Sequence, residues 1–109
     1  MQTVNDLDEA INVSKENYVL LFKHSTRCSI SSSALSRLER QWKNEETSVT
    51  PFFLDLISFR EVSNAIAEKL SVTHQSPQMI IVKNGKAVFN SSHMDINFND
   101  VSTHASAQE

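Results

Sequence analysis

The sequence predicts an α/β fold, a four-stranded mixed sheet flanked by helices on both faces, and three observations carry that prediction. Apolar runs of strand length alternate with stretches whose apolar residues recur at helical spacing. The first strand-like run, Tyr18 to Phe22, is apolar throughout, as expected of a central strand covered on both faces. Late in the chain, Asn84-Gly85 separates two short apolar runs, the pattern of an antiparallel hairpin. Parallel crossovers early and a hairpin late require a mixed sheet.

The elements follow in order. Val4, Leu7, Ala10 and Ile11 lie at helical spacing, and Thr3 with Asp6 forms a capping pair, so a first helix is expected over roughly residues 4 to 16. The strand Tyr18 to Phe22 comes next and ends at a polar turn. Beyond it Ile30, Ala34, Leu38 and Trp42 follow one another at i+4, with Leu35 beside them, which predicts an amphipathic helix of about four turns. Pro51 to Ile57 reads as a second buried strand, with its proline at the start where a missing N–H does least harm. Ser58 and Glu61 supply a capping box for a third helix bearing Val62, Ala65, Ile66 and Leu70 on one side. A polar link, Thr73 to Ser76, leads through Pro77 to the strand Met79 to Val82, which the Asn84-Gly85 turn joins to Lys86 to Phe89. A short closing helix is expected near Phe98 to Ala105, and a loose tail over about residues 104 to 109.

Composition narrows the class of protein. A chain of 109 residues fits a single domain over 1–109, and 39% apolar residues with two prolines and one glycine describe an ordered globular chain. The net charge is −3, without a basic run to track a phosphate backbone, so nucleic acid is not an expected partner. The N-terminus lacks the charge and apolar stretch of a secretory signal, and no apolar run approaches the roughly 20 residues of a membrane-spanning helix. No membrane partner is expected, and a cytoplasmic location is the default.

Cys28 is the only cysteine, and it stands where the first strand hands over to the second helix. A thiol at a helix N-terminus feels unpaired backbone N–H groups and the positive end of the macrodipole, both of which favour the thiolate. Its neighbours, Ser25-Thr26-Arg27-Cys28-Ser29-Ile30-Ser31, are mostly hydroxyls with one cation, poor company for a packed core. Without a second cysteine the chain cannot close an internal disulfide, so redox chemistry must pass through a covalent link to another molecule. His24, His74 and His93 match no compact metal-ligand spacing, and no metal is expected. A phosphatase loop would need an arginine six positions after the cysteine, where Ala34 stands.

Strand, turn, cysteine, helix, then Ser76-Pro77 before a strand and an Asn-Gly hairpin: this series resembles the thioredoxin fold. The run Phe22-Lys23-His24-Ser25-Thr26-Arg27-Cys28-Ser29-Ile30-Ser31 is similar to the K-H-S-x-x-C-P-I-S segment of the monothiol bacilliredoxin family, and the likeness extends to His74-x-Ser76-Pro77 and His93-x-x-Ile96. The resemblance implies a cis Ser76-Pro77 bond beside the reactive cysteine. It further implies a monothiol Cys-x-x-Ser thiol-disulfide oxidoreductase that removes bacillithiol, or a similar low-molecular-weight thiol, from mixed disulfides on client proteins. Cys28 would be the catalytic residue, and Thr26, Arg27, Ser29, Ser31, Ser76 and Pro77 would form the thiol and substrate site. The small thiol would be a co-substrate, with no tightly bound cofactor.

Two features bear on that reading. The family proline after the cysteine is Ser29 here, which frees φ at the helix start and adds a backbone donor. Ser31 stands where dithiol thioredoxins carry the resolving cysteine, and its hydroxyl is either a donor to the thiolate or a simple first-turn serine. Arg27 is likewise either a stabiliser of the thiolate or an exposed charge. The competing readings are a redox-inert thioredoxin-like binding module that holds an extended partner beside Pro77, and a monothiol glutaredoxin-like protein, which would carry glycine where Ser29 stands.

Overall fold

The computed structural model describes residues 1–25 and 29–105. In chain order the elements are α1 (Val4–Val13), β1 (Val19–His24), α2 (Ser29–Gln41), β2 (Thr50–Asp55), α3 (Arg60–Leu70), β3 (Gln78–Lys83), β4 (Lys86–Ser92) and α4 (Phe98–His104). Short 3-10 turns cover Asn44–Glu46 and His93–Asp95. The fold is α/β, and its strands form one sheet in the order β2-β1-β3-β4, with β1 parallel to β2 and antiparallel to β3.

The pleat of β1 explains its unbroken apolar run. Val19 and Leu21 face a core with Leu7 and Ala10 of α1 and Val62 and Ile66 of α3. Leu20 and Phe22 face the opposite core with Ala34 and Leu38 of α2 and Phe98 and Val101 of α4. Met79, Ile80, Ile81 and Val82 of β3 divide between the same two cores. The two central strands are therefore buried on both sides, as their composition requires.

Local signals account for most of the boundaries. Thr3 caps α1 with a full capping box: its Oγ1 accepts from Asp6 N, and the Asp6 carboxylate accepts from Gln2 N and Thr3 N. The N–H groups of Gln2 and Thr3 hold that carboxyl below its ordinary pKa. Asn84 and Gly85 both have positive φ, 54° and 74°, the conformation a two-residue hairpin demands. The hairpin is tied to the end of α1, where Ser14 O accepts from Asn84 N at 2.7 Å and Ser14 Oγ from Gly85 N at 3.0 Å.

Three expectations need correction. Pro51 to Ile57 does form a strand, but β2 lies at the sheet edge and its residues alternate in burial, with Phe53 left 47% exposed. An apolar run alone does not distinguish an edge from a centre, whereas its proline suits an edge. Ser58 and Glu61 do not cap α3, which begins at Arg60 without a side-chain cap. The residue before α3 is Phe59, one position later than a cap at Ser58 requires, and Ser58 is drawn into the turn after β2, where Asp55 Oδ1 accepts from Ile57 N and Ser58 N and Asp55 Oδ2 accepts from Ser58 Oγ at 3.0 Å. Ile30, expected to continue the apolar row of α2, is 50% exposed. Residues four apart drift by roughly 40° per step around a helix, which carries Ile30 off the face defined by Ala34 and Leu38.

The last described residues, His104 and Ala105, are packed, and residues 106–109 of the expected tail lie outside the described residues. His104 stacks on Phe89 with ring centroids 4.1 Å apart. Ala105, placed in the loose tail by its sequence, is buried, and its carbonyl accepts from Thr47 Oγ1.

Candidate thiol site

Three segments meet at the carboxyl end of β1. The first is the turn from β1 into α2. Thr26, Arg27 and Cys28 lie outside the described residues, but both ends of the turn are placed. Ser29 opens α2 and is exposed. Ser31, one helical step further, is fully buried, and its Oγ accepts from Ser25 N at 3.0 Å and lies 2.7 Å from His24 Nδ1. One hydroxyl thus fastens the two ends of the cysteine-bearing turn. With the imidazole proton on Nε2, Ser31 donates to His24; with the proton on Nδ1, His24 donates and the hydroxyl hydrogen is released toward another acceptor. His24 is therefore the partner that sets what Ser31 can do.

The second segment is the link from α3 to β3. Ser76-Pro77 is cis, as the resemblance implied, with Ser76 half-buried and Pro77 buried. Gln78 folds back over the link: its Nε2 donates to Thr73 O at 3.1 Å and its Oε1 accepts from Gln75 N at 3.3 Å. In the β1–β3 register Gln78 stands opposite Lys23, so this link and the end of β1 are cross-strand neighbours.

The third segment is the turn His93–Asp95, which joins the second because His93 N donates to Pro77 O at 3.2 Å. Arg37 of α2 holds the same turn, with Nη2 donating to Ile96 O at 2.9 Å and, at longer range, to the carbonyls of His93 and Met94. Met94 itself is 75% exposed. The helix that follows Cys28, the cis-proline link and the His93 turn form one hydrogen-bonded unit.

Beneath these segments lies Lys23, fully buried on β1. Its Nζ donates to Ser63 O of α3 at 3.2 Å and lies 3.2 Å from His74 Nδ1. Burial pushes its pKa down from 10.5 to about 8. Burial, and then the charges of Lys23 and Arg60, hold His74 below the ordinary imidazole value of 6.5. Among the described residues no group of three or more His, Cys, Asp or Glu side chains could hold a metal ion. No described helix is long and apolar enough to cross a membrane.

Sequence reasoning reached Ser31, Ser76 and Pro77 but missed Lys23, Arg37 and Gln78 as parts of the site. A lysine closing an apolar run reads as a strand running out into water, and an arginine on the polar side of a helix reads as solvated. The only available signal was Lys23 following four apolar residues of a doubly covered strand without an intervening turn residue.

This fold and this meeting of segments define a thioredoxin-fold protein of the thiol oxidoreductase class. The chain superposes on a solved protein of thioredoxin fold, itself proposed to be an oxidoreductase, with a TM-score of 0.81 and 29% identity over 94% of this chain and 88% of the other. The thioredoxin of Fasciola hepatica matches at a TM-score of 0.72 with 23% identity, covering 95% of both chains. That of Malassezia sympodialis matches at 0.76 with 13% identity, covering 98% of this chain and 89% of the other, likenesses that speak for the fold. Residues 1–101 match the family described as Monothiol bacilliredoxin BrxC, and the chain belongs to the monothiol bacilliredoxins.

Proposed function

We propose that this protein is a single-domain, cytoplasmic, monothiol thiol-disulfide oxidoreductase that removes bacillithiol from mixed disulfides on client proteins. Cys28 is its nucleophile, and Thr26, Arg27, Ser29, Ser31, Ser76 and Pro77 are its thiol and substrate site. The observation that carries the reading is that Ser31 of α2 is tied to Ser25 at the end of β1, where Lys23 stands opposite Gln78 next to the Pro77 link, in a chain of this family.

The chemistry balances with one sulfur. The Cys28 thiolate attacks the bacillithiol sulfur of the mixed disulfide, the client thiolate leaves, and a Cys28–bacillithiol disulfide forms. A second thiol then attacks that disulfide, restores the Cys28 thiolate and departs as a disulfide with bacillithiol. Ser29 suits this cycle because its N–H, absent from a proline, is available at the start of α2. Ser31 cannot resolve the intermediate internally, which agrees with a resolving thiol supplied from outside.

The test is mass transfer. The protein and its Cys28→Ser variant are incubated with a cysteine peptide disulfide-linked in turn to bacillithiol, glutathione and coenzyme A. The expected result is a gain of bacillithiol mass on the wild-type protein and none on the variant. Transfer that persisted in Cys28→Ser, or preference for another thiol, would overturn the assignment.

A further inference from the structure

Lys23 is unusual for its surroundings. A fully buried ammonium normally sits against a carboxylate, but the partners of Lys23 are a backbone carbonyl of α3 and an imidazole of the link before β3. Its cross-strand neighbours, Leu54 and Gln78, are uncharged. Because an ammonium only donates, His74 Nδ1 must present its lone pair, so His74 is the neutral imidazole with its proton on Nε2. Ser63 Oγ, 3.4 Å away, is a second group directed at the same nitrogen.

His74 is three residues before Pro77, and among the described residues this link is also held by Gln78, through Thr73 O and Gln75 N, and by His93 N at Pro77 O. We propose that Lys23 and His74 are positioning residues for the thiol reaction, a buried donor and its acceptor that together pin the Ser76-Pro77 link to α3 and to the end of the strand leading to Cys28. The proposal rests on the functional reading above. It also has a direct consequence: the contact requires a neutral imidazole. His74 is exposed to solvent on its other side, so it can take up a proton, and the charges that act on it, Lys23 of β1 and Arg60 of α3, are both cationic. Protonation therefore replaces a hydrogen bond by repulsion and frees the link.

Two variants separate the parts. Lys23→Met keeps length and apolar bulk while removing donor and charge. His74→Gln offers Lys23 an amide oxygen that does not titrate. With a cysteine peptide disulfide-linked to bacillithiol, Lys23→Met is expected to raise KM by about three- to tenfold, the size of one ordinary net hydrogen bond, with a smaller change in kcat. The ratio of wild-type to His74→Gln kcat/KM is expected to be flat above pH 7 and to fall by a similar factor toward pH 5. An unchanged KM in Lys23→Met, or a pH-independent ratio, would overturn the proposal.

NMR supplies a readout independent of turnover. The wild-type His74 imidazole is expected to titrate below 6.5 and to move up in Lys23→Met, while the Gln75 and His93 amides lose exchange protection as His74 protonates. A wild-type imidazole titrating at or above 6.5, with those amides indifferent to pH, would refute the pinning even if the variant failed to fold. If the wild type transferred no bacillithiol, the functional reading would fail, and this titration would still decide whether Lys23 holds the link.

Discussion

At the scale of single residues, Ser31 shows how one atom can serve structure and chemistry together. Its hydroxyl is buried and joins the first turn of α2 to Ser25 N and His24 at the end of β1. Ser31→Ala would leave a part-buried N–H and a ring nitrogen without this partner. We expect it to lower stability by about 1–3 kcal/mol, the usual result of orphaning buried polar groups, read as a lower urea midpoint with an unchanged slope. A midpoint equal to that of wild type would mean that the hydroxyl does not fasten the turn. The position was legible in the sequence as a candidate, yet its partner was not, because His24 and Ser31 meet only once the strand and helix have packed.

At the scale of elements, the cap of α1 and the hairpin formed as expected, while apolarity alone did not tell an edge strand from a central one. The Thr3–Asp6 box and the Asn84-Gly85 turn appear as read, since each is decided within a few residues. Thr3→Ala is expected to cost about 1 kcal/mol, a typical value for a helix cap, measurable as a fall in thermal midpoint. Gly85→Val should cost more, because a β-branched residue resists the φ of 74° that Gly85 adopts there; an equal midpoint would remove the turn from the list of fold determinants. The cap assigned to Ser58 failed for a reason visible only in the fold, where Asp55 at the end of β2 gathers Ile57 N, Ser58 N and Ser58 Oγ into its own turn and α3 starts after Phe59.

At the scale of the whole molecule, the buried lysine makes stability depend on pH. A lysine whose folded pKa of about 8 lies below its ordinary 10.5 weakens the fold while it is charged. Between these values the unfolded chain binds more protons than the folded one, so stability rises with pH across that window and is flat beyond it. The gain is up to about 3 kcal/mol at about 1.36 kcal/mol per unit. The quantity to measure is the difference between wild type and Lys23→Met by denaturant unfolding from pH 7 to 11. We expect the variant to be the more stable at pH 7 and its advantage to shrink toward pH 11. A constant difference would mean that Lys23 is not the group responsible. His74 acts in the same direction lower down: with its folded pKa depressed, stability is lost as pH falls through 6.5 toward the folded value.

What the amino-acid order determined by itself was whatever depends on neighbours in the chain: helix and strand periods, the cap of α1, the hairpin, and a lone cysteine between a strand and a helix. The family likeness of the segment around Cys28 and the expectation of a cis Ser76-Pro77 bond also came from sequence. Tertiary structure alone decided that β2 is an edge, that Arg37 holds the His93 turn, and that Lys23 is buried against His74 across 51 residues of sequence. The physical reason is that burial is a property of what covers a residue. A charged side chain looks solvated in one dimension until another element closes over it.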